Sequence, residues 1–257
     1  MPAMLSSDDR ERWARAFAVS DEQVERDHLI SHVLRAVAAA EPAGLVFYGG
    51  TALSRTYLPD FRLSEDIDFL ARPRHDVARQ LEALLPAALR MDFGEISWDP
   101  SPSSVLRDTT PALLNAWNLR VKVQIIDLDH AQARWPTERR AIELRYGDLP
   151  ATVELTVPTA VGFAAMKTVA WDDRGSARDL ADLDALGRIG AIDGSAVELF
   201  ALQTGRVLNP HMFDTARVPS EAAWRGELAH QMPEPPDRLE CVERIRAIYG
   251  ALLGWAI

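Results

Sequence analysis

Lysine is nearly missing from this 257-residue chain: of 28 basic residues only Lys122 and Lys167 are lysines. Arginine carries the generic positive charge, so each retained lysine is a candidate for work that suits a compact ammonium, such as a point charge on a phosphate. Cysteine is reduced to Cys241. That excludes an intramolecular disulfide framework, and because Cys241 falls inside an amphipathic helical pattern it reads as buried packing. No apolar run approaches membrane-spanning length, and residues 1–12 lack a basic segment leading into an apolar one. A soluble, cytoplasmic protein with no membrane partner is the expectation. Excess positive charge is lacking too. A net charge of −10 argues against a protein that coats nucleic acid nonspecifically. Internal repeats and low-complexity tracts are not visible.

What is there is ordinary globular composition, 47% hydrophobic and 26% charged, long enough for one large domain or two packed lobes. Ser20 with Gln23 makes a capping box, and Val24, Leu29, Ile30, Val33, Leu34 and Val37 give a helix to about Ala40. His28 and His32 stand at i,i+4 spacing on it. The acidic residue of a zinc-protease helix is absent between them, so the pair reads as packing. A helix is expected from about His75 to Met91, a hairpin and loop over Phe93 to Thr110, and a strand from Leu119 to Leu128. From Pro158 the chain turns helical. Pro158 suits a first helical turn, Met166 and Val169 lie on the apolar face and Lys167 on another, Ser176 caps the next helix, and Gln231 to Asp237 breaks before a final helix over Leu239 to Leu253. Arginines gather in sequence as Arg55, Arg62, Arg72, Arg74 and Arg79, and again as Arg134, Arg139, Arg140 and Arg145. Whether either group forms one surface is a question for the fold, and pairing with the abundant Asp and Glu is the competing reading.

The chemistry concentrates in Phe47-Tyr48-Gly49-Gly50-Thr51-Ala52-Leu53 followed by Arg62-Leu63-Ser64-Glu65-Asp66-Ile67-Asp68-Phe69. A short apolar strand running into two glycines and a helix start lets backbone N–H groups approach a phosphate closely. In the second segment, alternation puts Ser64, Asp66 and Asp68 on one face of a strand and Ile67 and Phe69 on the other. Two carboxylates two residues apart repel each other, and a hard divalent cation on oxygen ligands, Mg²⁺ or Mn²⁺, offsets that repulsion.

These residues resemble the nucleotidyltransferase toxins of the AbiEii/AbiGii type, a branch of the polymerase-β-like superfamily marked by Gly-Gly or Gly-Ser, a spacer and Asp-x-Asp. Val24-Glu25-Arg26-Asp27 is similar to the family's Val-Glu-Lys-Asp. Lys167 and Ala177-Arg178-Asp179-Leu180-Ala181-Asp182-Leu183 are similar to its later Lys and Arg-Asp-x-x-Asp helices. The resemblance runs from about Asp21 to about Leu186. It implies an α/β (α+β) fold: a polymerase-β-like nucleotidyltransferase lobe with a small mixed sheet and flanking helices over residues 1–157. A C-terminal helical lobe over 158–257 would contribute Lys167 and the Arg178–Asp182 helix, with the site between the lobes.

The resemblance further implies a toxin of a toxin–antitoxin system that transfers a nucleoside monophosphate from a nucleoside triphosphate to RNA, with tRNA the expected acceptor and a separate antitoxin as partner. Asp66 and Asp68 would hold the metals. Gly49, Gly50 and Thr51 would take the β,γ-phosphates, Ser64 would hydrogen-bond a phosphate or cap the start of its strand, and Lys167 would meet a triphosphate oxygen. Arg178, Asp179 and Asp182 would hold the base or position the lysine; from helical spacing either aspartate can instead simply ion-pair Lys167 or Arg178. One departure stands out. Relatives in the superfamily place a third carboxylate on the second strand, where the matching residue here is Gln124, and Asp127 faces the other way if alternation continues. Two further functions therefore stay open: transfer to a small molecule or protein hydroxyl, and a catalytically impaired nucleotide- or partner-binding protein.

Overall fold

The structure, a computed structural model, describes residues 5–107, 110–129 and 135–255. It divides into two compact units, the first comprising residues 1–133 with 138–157 and the second 134–137 with 158–257. The mixed α/β class is as expected from the sequence.

The first unit is built on a five-stranded sheet of β1 (Leu45–Tyr48), β2 (Asp66–Ala71), β3 (Ile96–Trp98), β4 (Ala112–Ala116) and β5 (Leu119–Asp127), in the spatial order β1-β2-β5-β4-β3. β2 pairs antiparallel to β1 and parallel to β5, so the strand carrying Asp66 and Asp68 is interior, with ladder partners on both sides. β3, β4 and β5 continue antiparallel. Alternation explains β5: Val121, Val123 and Ile125 are buried, whereas Arg120 and Lys122 are exposed. Three helices flank the sheet: α1 (Ser7–Phe17), α2 (Asp21–Ala40) and α4 (Arg74–Phe93). α2 packs on α1, α4 and β5, and α4 also meets β2 and β3. The Ser20–Gln23 capping box forms as the spacing predicts. A two-stranded sheet of β6 (Thr137–Glu143) and β7 (Thr152–Pro158) stands apart.

The second unit is helical: α5 (Ala160–Arg174) packs on α6 (Ala177–Arg188) and α7 (Gly194–Thr204), and α6 also meets α8 (Glu221–Leu228) and α9 (Arg238–Leu253). Three local expectations are corrected here. Pro158 ends β7 instead of opening a helix, and Thr159 is the N-cap, its side chain accepting from the Gly162 N–H. Ser176 sits at an N-cap position without using its side chain there; Glu227 of α8 accepts from both the Ser176 hydroxyl and the Ala177 N–H, doing the capping from a distance. Lys167 lies on the buried side of α5, with Phe163, Ala164, Thr168 and Trp171, while Met166 and Val169 are half-buried. The reason is electrostatic: α6 presents two aspartates to that side, described below. Cys241 is buried, as its pattern predicts.

The arginine groups do not form one surface. Arg55, Arg62 and Arg145 are buried. Arg74 donates to the carbonyls of Ile125 and Val105, and Arg72, Arg79, Arg139 and Arg140 pair with Asp129, Asp76, Glu41 and Glu138. Arg134 lies outside the described residues.

Two of those buried arginines meet at Asp27, which is 2% exposed. Arg55 Nη2 is 2.7 Å and Arg145 Nη1 3.2 Å from Asp27 Oδ1, and the Tyr146 hydroxyl donates to Oδ2 at 2.8 Å. The guanidiniums also reach main-chain acceptors: Arg55 the Glu143 carbonyl at 2.8 Å, Arg145 the Ser54 carbonyl at 2.7 Å. Arg145 adopts φ +71°, a region that costs a non-glycine residue on the order of 1–2 kcal/mol. The ion pair and the aromatic cover of Trp13 and Phe17 from α1 hold it there. Burial pushes the Asp27 carboxyl up, but the two guanidiniums and the Tyr146 and Arg145 hydrogen bonds outweigh burial and hold it below the ordinary carboxylate range.

Removing one member of a buried ionic cluster strands the others, so Asp27→Asn is expected to cost about 3–5 kcal/mol in urea unfolding. Because the folded-state value is depressed, this stability is present above the unfolded aspartate value near pH ~4 and is lost as pH falls through the folded one. The variant should lack that acid-side decline. A loss in urea below about 1 kcal/mol would show that carbonyl contacts alone hold the arginines.

Candidate active site

The apolar run Leu45 to Tyr48 is buried along its length as β1, and its partner β2 alternates half-exposed Asp66 and Asp68 with buried Ile67 and Phe69. The β1–β2 register sets Tyr48 opposite Asp68, so the glycines that follow Tyr48 arrive beside the second aspartate. The fit is close. Gly49 has φ +81°, and a Cβ there would stand 2.2 Å from Asp68 Oδ2. Only glycine lets the turn lie against that carboxylate. A Cβ on Gly50 would be 2.7 Å from the Arg62 guanidinium and 3.1 Å from Ser64 Oγ. The Thr51 hydroxyl donates to the Asp66 carbonyl, which ties α3 (Gly49–Ser54) to the start of β2. Gly49, Gly50, Thr51, Ser64, Asp66 and Asp68 thus come together in one place, with Arg62 beneath the turn.

Glu65 turns away, accepting from Gln23 at 2.6 Å and pairing with Arg26 at 3.3 Å, so the α2 N-terminus fixes the loop before β2. On the other side, the parallel register puts Lys122 opposite Asp66 and Gln124 opposite Asp68. Gln124 therefore occupies the neighbouring-strand position expected to carry the third carboxylate. Asp127 lies three residues further along, opposite Ala71. Lys122 Nζ approaches Asp66 Oδ1 at 3.8 Å with both side chains substantially exposed. The place of Lys122 beside Asp66 follows from the parallel β2–β5 register, which no local pattern in the sequence encodes.

The hard-oxygen donors suit a divalent cation. Asp66 and Asp68 project from alternate positions of one strand, Gly49 leaves the Asp68 carboxylate room, and the Asp66 side chain is 44% exposed.

The remaining sequence-predicted residues lie in the second unit. Lys167 Nζ is 3.1 Å from Asp179 Oδ1 and 2.7 Å from Asp182 Oδ2, with both aspartates buried. Asp179 also accepts from Arg174 Nη2 at 2.9 Å. Burial raises the Asp179 carboxyl, yet Lys167 and Arg174 together hold it below the ordinary range. Arg178 is exposed. The face shared by Asp179 and Asp182 is thus turned to the lysine.

A family model described as the nucleotidyl transferase AbiEii toxin of type IV toxin–antitoxin systems matches residues 32–251, reaching well beyond Leu186. No curated protein matches the chain. Among solved structures, the nucleotidyltransferase toxin MenT4 from Mycobacterium tuberculosis H37Rv aligns over 98% of this chain and 91% of its own, with a TM-score of 0.70 at 20% identity. An antigenic nucleotidyltransferase-like protein from Paracoccidioides brasiliensis aligns over 74% of this chain and 97% of its own, with a TM-score of 0.45 at 10% identity. The likeness to MenT4 establishes the fold, and the match across most of the sequence establishes the lineage of the glycine turn and its paired aspartates: the chain belongs to the AbiEii nucleotidyltransferase toxin family of type IV toxin–antitoxin systems.

Proposed function

We propose that this toxin transfers a nucleoside monophosphate from a nucleoside triphosphate to an RNA hydroxyl, with tRNA as acceptor and Mg²⁺, replaceable by Mn²⁺, held by Asp66 and Asp68. The observation that carries the proposal is the seating of Gly49 against Asp68, which brings the glycine turn directly beside the Asp66–Asp68 pair. A separate antitoxin is the partner that family membership implies. Among the described residues no helix is long and apolar enough to cross a membrane, and a cytoplasmic location fits a substrate pair of nucleotide and RNA.

In the transfer, the acceptor oxygen bonds to the α-phosphorus, the bond from that phosphorus to the bridging oxygen breaks, and pyrophosphate leaves with the electron pair. The metal, when bound, supplies positive charge that lowers the cost of the attacking and leaving oxygens. The chain does the positioning. Gly49 and Gly50 bring main-chain N–H groups to the β,γ-phosphates, Thr51 holds the turn to β2, and Ser64 offers a hydroxyl to a phosphate oxygen. Lys122, beside Asp66, offsets the repulsion of the aspartate pair. Through the family resemblance Lys167, paired with Asp179 and Asp182, is assigned to the triphosphate and Arg178 to the nucleotide base.

The direct test incubates the purified protein with Mg²⁺, total tRNA and each of four labelled nucleoside triphosphates. Label should enter RNA with at least one nucleotide, and Asp66→Ala and Asp68→Ala should each lower the rate by ~10²–10³-fold or more. Label entering protein or a small molecule instead would move the acceptor, and absence of transfer to any acceptor would leave a nucleotide-binding protein.

Gly49→Ala provides a second test. Its Cβ would displace the Asp68 carboxylate, and φ +81° adds strain of about 1–2 kcal/mol. The variant should fold with a lowered midpoint and lose transfer nearly as completely as Asp68→Ala. Retained activity would show that the turn does not need to lie against Asp68.

A further inference from the structure

The helix pair His28 and His32, read from sequence as packing, meets a carboxylate from far along the chain. Asp148, in the loop between β6 and β7, places Oδ2 2.9 Å from His28 Nε2 and 3.1 Å from His32 Nε2, and the two Nε2 atoms are 3.2 Å apart. All three belong to the first unit. Both histidines are 2% exposed, whereas the Asp148 side chain is 30% exposed.

Four zinc ligands at 2.0–2.1 Å in a tetrahedron stand about 3.3 Å from one another. The three atoms here already form a triangle close to one face of that tetrahedron. On the far side of His32, Nδ1 lies 3.2 Å from Asp92 Oδ2, and Arg35 holds the same oxygen at 3.0 Å. A carboxylate accepting from Nδ1 fixes the proton there and leaves Nε2 as a lone pair turned toward its two neighbours, the arrangement that metal-ligating histidines regularly show.

The Nδ1–Asp92 contact sets the hydrogen-bond inventory of this triangle. With the His32 proton on Nδ1, one proton on His28 Nε2 can serve Asp148 or His32, and one acceptor contact is left without a hydrogen between its atoms. A divalent cation satisfies all three lone pairs together. Two imidazoles and a carboxylate favour zinc over the hard magnesium ion of the Asp66–Asp68 pair.

We infer that His28 Nε2, His32 Nε2 and Asp148 Oδ2 form a Zn²⁺ site, with solvent completing the coordination on the exposed side of Asp148, that clasps α2 to the loop between β6 and β7. The clasp sits next to the Asp27 cluster in both segments. His28 follows Asp27, and Asp148 follows Arg145 and Tyr146 by three and two residues. Zinc bound here therefore reinforces the joint that the buried ions make.

The test uses the full chain, stripped with a chelator and titrated with Zn²⁺ in competition with a chromophoric chelator, and in parallel with Co²⁺ followed by visible absorption. The expected result is one equivalent per chain, a tetrahedral-type cobalt spectrum, and a higher thermal midpoint with zinc than without. Asp148→Asn, on a part-exposed side chain, should lose most of that affinity while remaining folded by circular dichroism. Asp92→Asn should weaken zinc by ~10–100-fold, since it removes the partner that orients His32. Asp66→Ala should bind zinc as the parent does. Absence of a zinc-dependent midpoint shift, or the same zinc affinity in Asp148→Asn as in the parent, would overturn the inference. If His28→Gln or His32→Gln does not fold, the Asp148→Asn comparison decides the matter alone.

Discussion

A single buried carboxylate organises the first unit. Asp27 is surrounded by two guanidiniums and a phenol that come from two other stretches of chain: Arg55 follows α3, while Arg145 and Tyr146 follow β6. The cluster carries one negative and two positive groups in a place where water contributes little, so its geometry has to be complete to be tolerable. The carbonyls of Ser54 and Glu143 take further guanidinium N–H groups, while Nε of each arginine is buried without a hydrogen-bond partner. Through Arg55 the cluster fixes the C-terminal end of α3, the short helix whose first residues are the Gly49–Gly50 turn. The glycine turn is therefore anchored at one end by β1 and at the other by an ion pair in the core.

The same helix that supplies Asp27 also steadies the other half of the site. Gln23 and Arg26 hold Glu65, so Asp66 and Asp68 enter β2 from a loop pinned by α2. The acidic site then draws compensation from its neighbours in the sheet: the Tyr48–Asp68 pairing brings glycine to one aspartate, and the Asp66–Lys122 pairing brings an ammonium to the other. In the second unit the logic is inverted, with two buried aspartates gathered on one lysine. Both lysines of the chain thus lie against aspartates, although one is exposed and the other buried.

Much of this was legible in the sequence, and what was not has a common cause. Gly49-Gly50 and Asp66-x-Asp68 are short, local patterns whose geometry follows from glycine's freedom and from strand alternation. The capping box at Ser20 and the strand over β5 follow from equally local rules. Patterns that depend on a distant partner were misread or missed. Lys167 was assigned away from the apolar face because its partners on α6 do not enter a helical-wheel argument. Ser176 looked like a cap because Glu227 of α8, some fifty positions away, was not in view. Asp148 gave no local signal of a partnership with His28 and His32.

The parallel pairing of β2 with β5, and the reach of Asp27 to a residue 118 positions away, have a consequence for synthesis. Contacts of such long sequence separation form late, because the loop between them must close before any contact rewards it. On a ribosome, β2 has β1 beside it early but waits for β5, and Asp27 waits for Arg145 and Tyr146 to emerge. Until then the nascent chain holds its aspartates on an incomplete sheet and its glycine turn on an unanchored helix. Translation thus opens an interval between making the signature motifs and completing the sheet, and a chain released within it lacks β5 and the partners of Asp27.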